Sequence, residues 1–94
     1  MAQATVLAAG TTAATSTDIV VAAGESVTVG IFSAAAAPVP AGAGFTVAQD
    51  TPGADNIVAR LGQQQRATVL AGPGTYRVSR QAYTGEAFGV FTET

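Results

Sequence analysis

Side-chain character alternates at every second residue along several short stretches of this chain, and Gly, Pro, Asn or Asp breaks each stretch within a few residues. That period belongs to strands with one face turned to a core, and the breaks recur too closely for long helices. Ser26-Val27-Thr28-Val29-Gly30-Ile31-Phe32 is the clearest case, with Val27, Val29 and Ile31 on one face and Ser26, Thr28, Gly30 and Phe32 on the other. Asp18-Ile19-Val20-Val21 precedes it, and Ala22-Ala23-Gly24-Glu25 reads as the turn that makes the two a hairpin.

Further strands are expected at Phe45-Thr46-Val47-Ala48, from Asn56 to Leu61, from Ala67 to Ala71, from Thr75 to Arg80 and from Glu86 to Thr92. Pro52-Gly53 fits the centre of a type II turn, where Gly supplies the positive φ. In the strand from Thr75, alternation sends Tyr76 and Val78 inward and Arg77 and Ser79 outward. The run from Ala34 to Gly44 carries Pro38 and Pro40 among small residues, so it is expected to be a loop of the kind that makes contacts or moves. Thr5-Val6-Leu7-Ala8 reads as an edge strand or arm. The expected fold is all-β, a small antiparallel β-sandwich or partly closed barrel of about seven to eight short strands. Residues 1–17 are assigned to an N-terminal arm or edge strand and residues 18–94 to a single β domain.

A chain of 94 residues supports one thin core. Hydrophobic residues make up 48%, but much of that is Ala, which brings little area to bury, so association with a second copy is expected to add stability. The only basic residues are Arg60, Arg66, Arg77 and Arg80 against six acids, too few for the basic stripe of a nucleic-acid binder. Asp18, Glu25, Asp50 and Asp55 all precede the arginines, a split suited to head-to-tail contact between copies. The start of the chain lacks the charged and apolar regions of a secretory signal, and no apolar run reaches the roughly 20 residues of a membrane helix, so no membrane partner is expected.

His, Cys and Lys are all absent, which removes the usual bases, thiolates and amine nucleophiles, and no catalytic residue is expected. No cofactor is expected either: Gly72-Pro73-Gly74 precedes a strand, not a helix, and Pro73 lacks the amide a phosphate cradle would use. Asp50, Asp55 and Asn56 offer oxygen donors around a turn, but their spacing matches no calcium loop, so a turn cap and a solvated acid are the simpler reading and no metal is expected. Arg77 and Arg80 flank Val78 and would either clamp a partner carboxylate or stand as a solvent-facing charge and a strand-end charge. Stacking of carbohydrate is poorly served by Tyr76 and Tyr83 without Trp.

Gly30-Ile31-Phe32 and Gly89-Val90-Phe91 share a pattern. An antiparallel register with Ile31 opposite Val90 sets each Phe across from a Gly, and each ring then covers a residue without a side chain. Phe32 and Phe91 would lie on the face opposite Val27, Val29 and Ile31, which one core cannot bury, so they are candidates for a protein interface. Val39, Arg77 and Arg80 complete the interface candidates.

The segments Val6-Leu7-Ala8-Ala9-Gly10-Thr11-Thr12-Ala13-Ala14, Val27-Thr28-Val29-Gly30-Ile31 and Gly72-Pro73-Gly74-Thr75-Tyr76-Arg77-Val78 together resemble small virion proteins of tailed bacteriophages of the capsid decoration (cement) type. The resemblance implies a non-enzymatic structural subunit, homo-oligomeric, made in the host cytoplasm and bound to the major capsid protein on the outside of the head. The alternatives are a phage tail or head-fibre module, or a ligand-binding or adhesin β-sandwich.

Overall fold

The computed structural model describes residues 2–35 and 37–94; Met1 and Ala36, the latter inside the expected loop from Ala34 to Gly44, lie outside the described residues. Nine strands follow in chain order: β1 (Gln3–Gly10), β2 (Ala14–Thr15), β3 (Ile19–Val21), β4 (Ser26–Phe32), β5 (Phe45–Gln49), β6 (Asn56–Leu61), β7 (Ala67–Ala71), β8 (Gly74–Arg80) and β9 (Phe88–Glu93). They form two antiparallel sheets. Sheet A has the order β1-β9-β4-β7, and sheet B runs β2-β8-β5-β6 with β3 also paired to β8. The fold is all-β as expected, and its open edges make it a sandwich and not a closed barrel.

The short β2 escapes an alternation test because two residues carry no period. It and β3 are two pieces of one interrupted edge strand. Both pair with β8, Ala14 opposite Arg80 and Ile19 opposite Tyr76. Between them the Ser16 hydroxyl accepts the Val78 N–H at 2.9 Å and donates to the Thr17 carbonyl at 2.9 Å, so a side chain patches the break. Taken as one, the pieces give four strands facing four, in the connectivity of a jelly roll, a two-sheet arrangement of paired Greek keys.

The expected hairpin between Asp18–Val21 and Ser26–Phe32 is not formed. β3 lies in sheet B and β4 in sheet A, and the link 22–25 carries the chain across the sandwich. The cause is burial on two layers: Ile19 and Val21 face the core from one sheet, while Val27, Val29 and Ile31 face it from the other. The corner is closed by Gly72 N–H to the Glu25 carbonyl at 2.9 Å and Glu25 N–H to the Ala22 carbonyl at 3.1 Å.

The inward sides of the two sheets meet in one core. Sheet A gives Val27, Val29, Ile31, Leu70, Phe88 and Val90; sheet B gives Ile19, Val21, Phe45, Val47, Leu61, Tyr76 and Val78. Tyr76 and Val78 point inward as the alternation requires, and the Tyr76 hydroxyl escapes desolvation by donating to the Ala71 carbonyl at 2.7 Å. The Pro52-Gly53 turn has the positive φ expected at Gly53.

Candidate functional site

The outward side of sheet A holds the aromatic pair. β4 and β9 are antiparallel with Gly30 opposite Phe91, Ile31 opposite Val90 and Phe32 opposite Gly89, the register that the two Gly-x-Phe patterns require. Val90 and Ile31 turn into the core, so parity sends Phe32 and Phe91 to the other face. Their rings meet edge to face, with centroids 6.2 Å apart and planes at 73°. A Cβ on Gly30 would come within 2.8 Å of the Phe91 ring, and one on Gly89 within 2.9 Å of the Phe32 ring and 2.5 Å of the Leu7 carbonyl oxygen. Only glycine leaves room for the rings. Beside them, Gln3, Ala4 and Thr5 of β1 complete an open groove of about 480 Å³. Glu93 lies on this face too, held by the Gln3 side-chain amide at 3.1 Å.

The outward side of sheet B is ionic. Arg77 Nε donates to Asp18 Oδ1 at 2.8 Å, its Nη1 donates to Asp55 Oδ2 at 2.9 Å, and Nη2 stands 3.6 Å from Asp50 Oδ2. The hydrogen bond and charge of Asp18, with smaller help from Asp55 and Asp50, raise the pKa of Arg77 above its ordinary value. The guanidinium therefore stays charged. Asp50 and Asp55, the two carboxylates weighed as metal ligands, instead flank this cation. Three of the four early acids are thus paired within the chain, which leaves Glu25 as the one early acid outside this cluster.

Two of the other interface candidates lie inside the fold. Arg80 is only 6% exposed. Its Nε donates to the Thr12 carbonyl at 2.7 Å, and Nη1 donates to the Ala8 and Phe88 carbonyls at 2.8 and 2.9 Å. It ties β8 of sheet B to β1 and β9 of sheet A; it does stand at the end of β8, but buried and bonded to carbonyls of this chain it is not placed as a clamp for a partner carboxylate. Val39 is 7% exposed and belongs to the core. Its carbonyl accepts the Gln63 side-chain amide at 3.2 Å. Of the five candidates, Phe32 and Phe91 are brought together, Arg77 lies on the opposite outer face, and Arg80 and Val39 are interior.

Sequence reasoning missed Tyr83, which joins the loops at the Arg80 end. Its hydroxyl accepts the Phe88 N–H at 2.8 Å and donates to the Glu86 carbonyl at 2.7 Å. Nothing local marks a loop tyrosine for this task. Arg80 did carry a signal, because it shares parity with Tyr76 and Val78. Among the described residues no group of three His, Cys, Asp or Glu side chains is placed to hold a metal ion. Compared with family models, with curated proteins and with solved structures, the chain has no match.

Proposed function

We propose that this protein is a non-enzymatic virion subunit that binds the outside of a tailed-phage capsid as a decoration protein, with the major capsid protein as its partner. The observation that carries the reading is the outer face of sheet A, where Phe32 and Phe91 stand half-buried beside an open groove. An aromatic patch with one hydrogen-bonded carboxylate suits a protein surface better than a charged ligand. A jelly roll is an architecture found in viral capsid domains and also in lectins, so the fold alone does not choose between them. Support also comes from the resemblance noted above and from the lack of His, Cys and Lys. A subunit of this kind acts without a chemical step. Binding only the assembled lattice stabilises that lattice by mass action, and many weak sites sum over one shell.

The test adds purified protein to undecorated heads and follows copy number and thermal rupture. Many copies spread over the capsid and a higher rupture temperature are expected. Thr5→Arg, at the exposed lip of the groove, should fold normally and bind less. Failure of the unaltered protein to bind heads overturns the reading, and a few copies at one vertex would replace it with a tail or head-fibre role.

A further inference from the structure

We propose that the open edge of β7 pairs with β7 of a second copy of this chain about a two-fold axis through Val69, joining two four-stranded sheets into one. This does not depend on the capsid reading. It starts from a contrast among the edges. An edge strand offers unpaired backbone groups, and natural proteins blunt such edges with bulges or breaks. β1 has register shifts between Thr5 and Leu7 and between Leu7 and Gly10. β6 has one where Val58 is skipped in the pairing with β5, and the β2–β3 edge is broken at 16–18. β7 pairs with β4 from Ala67 to Ala71 without a shift, and it holds no charge, Gly or Pro.

The ladder fixes which groups of β7 are free. Ile31 N–H bonds the Arg66 carbonyl and Gly72 N–H bonds the Glu25 carbonyl, both at 2.9 Å. Backbone groups alternate in direction along a strand, so residues 66, 68, 70 and 72 face β4, and residues 67, 69 and 71 face away from it. Side chains already cap two of the outward carbonyls: Gln65 Nε2 reaches Ala67 at 3.3 Å, and the Tyr76 hydroxyl reaches Ala71 at 2.7 Å. Val69, at the centre, has no such cap.

A symmetric antiparallel pair about Val69 sets Val69 against its own copy, Ala67 against Ala71, and Thr68 against Leu70. The outward positions of both strands then coincide. The two Val69 residues exchange both hydrogen bonds, and each Ala71 N–H reaches the opposite Ala67 carbonyl in place of the exposed Gln65 amide. Val69 is 63% exposed, and pairing covers it with its own copy.

Charge selects a second copy as the occupant. In this register Arg66 stands opposite Gly72, which has no side chain, and Gly72 is bonded in turn to Glu25. Arg66 and Glu25 are exposed and have no ion-pair partner within the chain among the described residues; within the chain the Arg66 guanidinium rests over the Phe88 ring, 5.5 Å from its centroid. Two-fold pairing puts Arg66 of each copy in the same cross-strand row as Glu25 of the other, and the exposed Arg66 side chain turns from the Phe88 ring to meet it, one opposite-charge row at each end of the new ladder. β6 lies beside β7 on the same flank, so among the described residues three of the four exposed large apolar side chains, Ile57, Val58 and Val69, are on the strands that would approach the neighbour.

Sedimentation equilibrium of the whole chain and three variants tests this. Val69→Lys sets two like charges directly opposite each other in the dimer and should weaken association at least about tenfold, whereas the exposed site leaves the monomer folded. Val20→Lys, on the opposite flank and 73% exposed, should leave association unchanged. Arg66→Glu should weaken it, and combining that with Glu25→Arg should restore it. In the unaltered chain, hydrogen exchange at the Val69 amide should slow as concentration rises. A chain that stays monomeric up to about millimolar concentration, below the useful range of standard association, overturns the proposal, as does a dimer that Val69→Lys leaves intact or that Val20→Lys weakens equally.

Discussion

On the outer face of sheet A two phenylalanine rings lie over two glycines, whereas on the outer face of sheet B one guanidinium gathers three carboxylates. Both faces belong to pleated sheets that share one core. The aromatic face is fixed by shape: each ring occupies the volume that a neighbouring side chain would have filled, and salt does not screen such contact. The ionic face is fixed by charge at side chains that remain partly solvated, where attraction is weak and screened. The difference separates a face that can meet a partner already rigid and partly dry from one whose charges are spent within the chain.

The comparison breaks first, and most severely, at the glycines. Gly89→Val would drive a branched side chain into the Leu7 carbonyl and the Phe32 ring, and because the backbone cannot yield it should cost about 2–3 kcal/mol of folding stability. Denaturant midpoints measure this, and an unchanged midpoint would remove the account of ring on glycine. Phe91→Ser comes next. It uncovers Gly30 and removes the edge-to-face contact, and for a half-buried ring the loss should be about 1–2 kcal/mol; on the proposed decoration role, binding to undecorated heads should weaken as well.

Arg77→Met should have the smallest effect of the three and should be the only one to depend on salt. Its loss of stability is expected at low ionic strength and should shrink towards zero near 1 M salt, where the screening length is about 3 Å. The pKa of Arg77 is raised on folding, so its contribution is complete below the ordinary arginine value and is lost only as pH rises through the folded value. Alkaline titration to about pH 10 should therefore leave the difference between the unaltered protein and Arg77→Met unchanged. A fall in that difference below pH 10 would show that something other than the guanidinium holds the cluster.

The pairing of β4 with β9 was legible because two glycines and two phenylalanines at matched spacing admit few registers in which both rings find room. The faces of β4 and β8 were legible from alternation alone. The crossing from β3 to β4 was not, since a four-residue link ending in Gly-Glu serves a hairpin or a corner equally well. What decides it is which layer buries Ile19 and Val21, a fact of tertiary packing. Arg80 was misread because its charge outweighed its parity with Tyr76 and Val78. Buried without a carboxylate, it is satisfied by carbonyls from residues 8, 12 and 88, distant in sequence and visible only once both sheets are assembled. Val39 was misread because a Pro-flanked loop position suggests solvent, whereas the loop folds over the end of the core.

The position of β9 between β1 and β4 sets the timing of the fold during synthesis. Of the nine strands, the one that leaves the ribosome after all the others is the one that completes the middle of sheet A. Until it arrives, β1 has no strand to bond with and the Arg80 guanidinium lacks the Phe88 carbonyl. Cooperative closure of the sandwich must then follow translation of its final strand, and the half-made chain carries β4 and β7 as an open ladder.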